Sequence, residues 1–285
     1  MKYIFSLAFL LFVFSVSGVA QNAQKAVDAY NRGLELQDSG DTQNAMRSYD
    51  LAIQLNPKML DAYNNRANLK LAAGDSKGAV ADLTKVIELT SGHALSYYNR
   101  GNIYLDLQEY DAAIADYTKA IEILNGLTNA YDKKAHAMSH NNRGNALAAK
   151  GNYKAAIPDY NRSLEIIPNS YEALTGRGAA QQQLGNFAAA VADYTRALEI
   201  FPKNVLILTN RASANEEIDK NAAVADYTRV LELKPDNAEA YARRGVMLID
   251  LKRKTEAAAD LRKAFELDAS LKTDYGRFLM QALAK

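Results

Sequence analysis

The chain contains no cysteine. That excludes a disulfide framework, a thiolate metal site and a lipid attached through an N-terminal cysteine. Five Pro and fifteen Gly in 285 residues are too few for long disordered segments. Excess charge of either sign is missing as well, with Lys plus Arg at 34 and Asp plus Glu at 33. Lys2 lies in the first twenty residues, so the remainder balances at 33 of each sign. A nucleic-acid binder draws most of its affinity from a basic face set against phosphates, and this balance points to none. Hydrophobic content of 48% and charged content of 24% are ordinary for a folded soluble protein. The length allows one large domain or two ordinary ones.

Met1 to Ala20 stands apart from the rest. Lys2 supplies a positive start, Tyr3 to Val16 is almost wholly apolar, and Ser17, Gly18 and Ala20 are small. This is the pattern of a secretory signal cut after Ala20. The apolar run is shorter than the roughly 20 residues of a spanning helix. The expectation is export to a periplasm or beyond the cell, with no membrane insertion after cleavage. An uncleaved membrane anchor is the alternative.

What fills the remainder is repetition. Asn99 to Ile123 (NRGNIYLDLQEYDAAIADYTKAIEI) returns as Asn142 to Ile166 and again as Gly176 to Ile200. Seven copies can be set in phase: 26–59, 60–93, 94–127, 137–170, 171–204, 205–237 and 238–271. Numbering each copy from 1, position 8 is Gly33, Ala67, Gly101, Gly144, Gly178, Ala212 and Gly245. Position 20 is Ala in most copies, and position 24 is Tyr49, Tyr117, Tyr160, Tyr194 or Tyr227. Gly followed by Asp or Asn at Gly40-Asp41, Gly74-Asp75, Gly151-Asn152 and Gly185-Asn186 predicts the end of one helix and the N-cap of the next. Pro57, Pro168, Pro202 and Pro235 predict the stop of each second helix, because the residue before a proline is pushed out of the helical region.

This pattern resembles the tetratricopeptide repeat family, a 34-residue helix–turn–helix with small residues at positions 8 and 20. The chain departs from it at position 4, which never holds Trp, and at position 11, where only Tyr104 keeps the aromatic. The resemblance implies an all-α, right-handed superhelical solenoid. One hairpin cannot bury its apolar face alone, so copies must stack. Residues 128–136 form an insertion before the fourth copy, expected to lengthen its first helix or to protrude as a turn. Pro158 falls inside a second helix and predicts a kink. Tyr275, Phe278, Leu279, Ala282 and Leu283, at helical spacing within 272–285, predict a C-terminal capping helix over the end of the stack.

Candidate functional residues follow the repeat. Position 7 is Arg in all seven copies, and position 23 is Asp in six. Regular pairing of this kind points to a salt-bridge ladder more than to an anion-binding row, and leaves open whether pairs form within or between copies. The resemblance implies that first-helix positions 2, 5, 6, 9, 12 and 13 line a concave groove. There, Asn31, Asn64, Asn65, Asn68, Asn99, Asn102, Asn141, Asn142 and Asn145, with Tyr30 and Tyr98, form a neutral strip across copies one to four. Asn offers both donor and acceptor, which suits the backbone of an extended peptide. Packing against a neighbouring helix is the competing account, most of all for position 6. The two-lysine carboxylate clamp of some family members is incomplete here, since only Asn68, Asn99 and Asn102 match it and its Lys positions hold no Lys in copies one to four. Later groove positions carry Glu172, Glu216, Glu217, Glu239 and Asp250 with Arg243, an acidic half suited to a basic or neutral segment.

Asp132, His136 and His140 are four apart, a spacing that can hold a metal. His140, however, occupies a packed slot of the repeat, and no metal or other cofactor is assigned. No nucleophile–base pair or phosphate-cradling loop stands at an informative spacing, so no enzyme is expected. The reading is a scaffold that binds a protein or peptide in its groove outside the cytoplasm. The alternative is a structural subunit of an envelope assembly, or a self-associating homo-oligomer, without a free peptide ligand.

Overall fold

The computed structural model describes residues 21–90 and 92–284, so the Met1–Ala20 expectation lies outside the described residues. All regular structure among them is helical. The chain divides into two compact units, the first ending at Asn125 and the second beginning at Gly126. The first unit holds α1 (21–38), α2 (Thr42–Leu55), α3 (Leu60–Ala72), α4 (Ser76–Thr90), α5 (Ala94–Asp106) and α6 (Tyr110–Leu124). The second holds α7 (Ala130–Ala149), α8 (Tyr153–Ile166), α9 (Tyr171–Gln183), α10 (Phe187–Ile200), α11 (Val205–Asn215), α12 (Lys220–Leu233), α13 (Ala238–Asp250), α14 (Lys254–Leu267) and α15 (Lys272–Leu283). Within each unit a second helix packs on the first helix of its own copy and on that of the next.

The turns show how short motifs make hairpins. Gly40 closes α1 at φ 83°, in the left-handed region that L side chains rarely adopt. Gln108 and Lys252 occupy the same register in copies three and seven at φ 60° and 61°, bearing the strain that Gly avoids. The expected caps form at Asp41, whose carboxylate accepts from the Asn44 N–H, and at Asp75, which accepts from Gly78 N–H at 2.8 Å. Asn152 and Asn186 make no such bond, a correction to the reading of these turns. Asn186 instead donates its amide to Gln181 at 2.9 Å. Before Pro57 and Pro168, Asn56 and Ile167 are extended, at φ −136° and −128°, and the helices end there. Pro158 does not interrupt α8, which runs unbroken over Tyr153–Ile166 with the proline on its exposed face. Residues 130–136 of the insertion join the first helix of copy four, making α7 20 residues long against 13 for α5. Asn129 caps α7 by accepting from Asp132 N–H at 2.8 Å.

The core is built from the smallest and largest side chains together. Tyr49, Tyr117, Tyr160, Tyr194 and Tyr227 are fully buried, flanked by alanines at 0% exposure such as Ala45, Ala113 and Ala190. Position 8 is small chiefly because the position 24 ring lies on it. A Cβ on Gly33 would stand 2.5 Å from Tyr49 Cε1, and one on Gly101 2.9 Å from Tyr117 Cε1. Both distances are below any real carbon contact, so the aromatic payload requires the missing side chain.

The Arg–Asp ladder spans copies. Arg100 grips Asp116 through Nε and Nη2, both at 2.7 Å, and its Nη1 donates to Thr84 of the preceding copy at 2.8 Å. Arg66, Arg177, Arg211 and Arg244 repeat the arrangement on Asp82, Asp193, Asp226 and Asp260, with Asp50, Asn161, Thr195 and Thr228 accepting from the third nitrogen. Each guanidinium thus closes its own hairpin and ties it to the one before. Bidentate geometry of this kind is among the stronger hydrogen-bonded pairings. Arg32, whose copy carries Ser48 in place of Asp, pairs among the described residues with the exposed Glu35.

The final helix covers the second unit. Tyr275, Phe278 and Leu279 pack on its core and Ala282 is buried, while Leu283 is exposed at 48%, against the expectation for that residue.

Candidate functional site

The asparagines and tyrosines expected of the groove lie on first helices in both units, and the structure sorts them by what each touches. In the first unit, Tyr30 lies against Tyr49, with ring centroids 5.8 Å apart, and its hydroxyl accepts from Asn65 Nδ2 of the next copy at 3.2 Å. Tyr98 sits likewise on Tyr117 at 6.0 Å. Asn102 Oδ1 accepts the Tyr117 hydroxyl at 2.7 Å. Asn31 and Asn68 are exposed, and Asn64 and Asn99 are half-buried. In the second unit Asn145 Oδ1 accepts from Tyr160 at 2.9 Å, and Asn141 donates to Asn142 Oδ1 at 3.0 Å. The strip is therefore two populations. Asn65, Asn102 and Asn145 hold the hairpins, while Asn31 and Asn68 are open to solvent.

A rule behind position 9 emerges from these contacts. A fully buried tyrosine needs an acceptor for its hydroxyl, and position 9 or position 12 of the first helix supplies it. Where position 9 is not Asn, Gln37 accepts from Tyr49 at 2.8 Å, Gln182 from Tyr194 at 3.0 Å, and Glu216 from Tyr227 at 2.5 Å. From sequence, neither Gln37 nor Gln182 is singled out, and Glu216 is taken only as part of an acidic groove. The signal lies in the sequence, since every buried position 24 Tyr calls for a polar partner on the facing helix. Asn68 faces a copy with Leu83 at position 24, so it has no hydroxyl to satisfy. Burial, reinforced by Asp159 and Asp193, pushes the Tyr160 and Tyr194 hydroxyls well above their ordinary range. They stay neutral donors.

The acidic half is corrected. Arg243 donates to Glu216 at 3.1 Å and to Glu239 at 3.0 Å, Tyr275 donates to Glu239 at 2.7 Å, and Lys220 pairs with Asp250 at 2.5 Å. Three of the five carboxylates therefore have cationic partners: Glu216 and Asp250 find theirs on a neighbouring helix, and Glu239 finds Arg243 one turn along α13. The His136, His140 and Asp132 side chains do not converge. His140 Nδ1 is 2.8 Å from Asp159 Oδ1, the His136 ring lies 4.9 Å from that of His140, and Asp132 turns back to Asn129. Among the described residues no group of three His, Cys, Asp or Glu could hold a metal. Burial pushes the His136 imidazole below its ordinary range, helped by His140 and Arg162. In Asp159 burial acts upward, and the hydrogen bonds from His140 and Arg143 outweigh it, leaving the carboxyl below the usual range.

Comparisons with known proteins agree with this geometry. Tetratricopeptide repeat models match residues 29–59 and 60–93, then 92–169 and 135–203, and finally 219–270. No curated protein matches the chain. Among solved structures, a tetratricopeptide repeat protein from Parabacteroides merdae is similar at 21% identity, covering 92% of this chain and all of its own, with a TM-score of 0.64. YrrB, described as a TPR protein with an unusual peptide-binding site, is 24% identical over 67% of this chain and 95% of its own, at TM-score 0.55. PilF from Pseudomonas aeruginosa is 16% identical over 75% of this chain and 94% of its own, at TM-score 0.60. At these identities the likeness establishes the fold. Family models across most of the described residues, joined to the stacked hairpins, place this chain in the tetratricopeptide repeat family.

Proposed function

We propose that this chain is an exported interaction scaffold that binds an extended segment of a protein partner along its first-helix faces. A tetratricopeptide fold is a protein-interaction scaffold in its coarse role; the groove, the segment and the compartment are our reading. The observation that carries it is the exposure of Asn31 and Asn68 on first helices where Asn65, Asn102 and Asn145 are taken up by tyrosine contacts. Among the described residues no side-chain hydrogen bond accounts for either, and Asn can give and take hydrogen bonds with an extended backbone. Export rests on the Met1–Ala20 pattern. Among the described residues no helix is long and apolar enough to cross a membrane.

The test is capture of partners from the native compartment with the wild-type chain and with Asn31→Ala/Asn68→Ala. Loss of a captured partner at unchanged helicity supports the groove. Equal capture by both proteins contradicts it, and an intact Met1–Ala20 in the mature chain contradicts cleavage.

A further inference from the structure

The second unit contains a cavity of about 380 Å³ between the N-terminal half of α7, the end of α8 and the start of α9. The insertion creates one of its walls, because Lys134 belongs to the added turns of α7. Asn141 lines it at 8% exposure, and its Oδ1 is buried without a hydrogen-bond partner. A buried acceptor left unmet costs free energy that a ligand's N–H would recover. Ser163, 1% exposed, lines the same space, as do the apolar Met138 and Ile167. The remaining charged lining residues are one cation and one anion, Lys134 and Glu172.

We infer that this cavity receives a carboxamide side chain, glutamine or asparagine, from the bound segment. The inference rests on the groove reading and gives that groove a specificity. Opposite charges at the rim leave the cavity with no net charge, so a charged side chain entering it would lose hydration without a matched excess of the opposite sign. A carboxamide is neutral and bears both kinds of group. Its N–H₂ donates to Asn141 Oδ1, its carbonyl accepts from Lys134 Nζ or Ser163 Oγ, and its methylenes lie on Met138 and Ile167. The volume falls at the small end of ligand sites, enough for one side chain with its adjoining backbone.

The experiment is a titration of the full mature chain, followed by amide NMR shifts, with blocked single residues. The probes are the N-acetyl methylamides of glutamine, asparagine, norleucine, lysine and glutamate. The glutamine or asparagine probe should bind at least about tenfold more tightly than norleucine, which matches the glutamine stem but lacks its polar end; that factor is about 1.4 kcal/mol. Shifts should centre on α7 and α9. Asn141→Leu should abolish the preference while leaving helicity and melting intact or improved, since it removes an unmet buried acceptor. Lys134→Ala, on the exposed rim where folding is not at risk, should weaken the glutamine probe severalfold. Norleucine or lysine binding as well as glutamine, or a preference that survives Asn141→Leu, overturns the inference. Partner capture dependent on Asn31 and Asn68, in the other unit, is untouched by either result, so this cavity and the groove reading fail separately.

Discussion

Deleting Asp193 should destabilise the second unit far more than its single charge suggests. The carboxylate is 6% exposed and accepts from Arg177 Nε and Nη2 at 2.8 and 2.6 Å. Asp193→Ala strands a guanidinium whose side chain is 21% exposed and whose remaining bond is Nη1 to Asn161 at 2.7 Å. Breaking one side of a buried pair costs about 3–5 kcal/mol, and the partial exposure of Arg177 brings the expectation to about 2–4 kcal/mol. Arg177→Met/Asp193→Leu removes both charges and should lie within about 1 kcal/mol of wild type, so the double-mutant cycle should return a coupling of about 2 kcal/mol or more. Glu35→Ala, which breaks the ladder's solvent-exposed exception, should cost less than about 0.5 kcal/mol. Stacked repeats need not unfold in one step. Hydrogen exchange at the α9 and α10 amides is therefore the assay, with chemical denaturation beside it. If Asp193→Ala costs under about 1 kcal/mol, or the double variant costs as much as the single, the ladder does not hold the hairpins together.

Other outcomes follow from the same contacts. Asn102→Ala leaves the Tyr117 hydroxyl without its acceptor and should lower stability by about 1–2 kcal/mol, whereas Asn68→Ala should stay within about 0.5 kcal/mol of wild type; urea melts of the two variants decide. Because the folded His136 pKa lies below the unfolded value, the unfolded chain binds more protons as pH falls through that range. Stability should thus decline from about pH 6.5 downward, and His136→Phe should flatten this part of a thermal-melt series against pH. Asp159, with its folded pKa lowered, contributes stability present above the unfolded carboxylate range and lost as pH falls through the folded pKa; Asp159→Asn should remove that lower step. Gly176→Ala places a Cβ 2.6 Å from Tyr160 Cε1 and should destabilise by about 1–3 kcal/mol, read in the same melts.

The architecture was legible because the repeat multiplies every local signal. A Gly-Asp turn or a pre-proline stop read once is weak, but read in phase along the chain it leaves little choice. The Arg–Asp pairing was legible for the same reason, and its third hydrogen bond was not. That bond goes to position 25 of the previous copy, which varies among Asp50, Thr84, Asn161, Thr195 and Thr228 and so carries no single letter to recognise. The asparagine positions are legible in the sequence, but what each side chain touches is not. Whether Asn at position 9 is occupied depends on a tyrosine 15 residues later, as Asn102 and Tyr117 show. The pairing of Glu216 with Arg243 is not legible in the sequence because it joins the end of α11 to α13, a contact between copies, whereas the Arg243–Glu239 pair is an i,i+4 spacing within α13. Gly176, standing where five copies have Asn, makes sense only once the Tyr160 ring is seen beneath it.

Site-specific photocrosslinking in the native compartment tests the scaffold account most directly. A photoreactive residue placed at Asn31 or Asn68 on the first-helix face is compared with one at Glu88 or Glu122 on exposed second-helix positions. The account predicts adducts at Asn31 and Asn68 that map to one extended stretch of a partner, with none at the second-helix controls. Adducts confined to Glu88 and Glu122, or adducts at Asn31 and Asn68 only to a second copy of this chain, would contradict it.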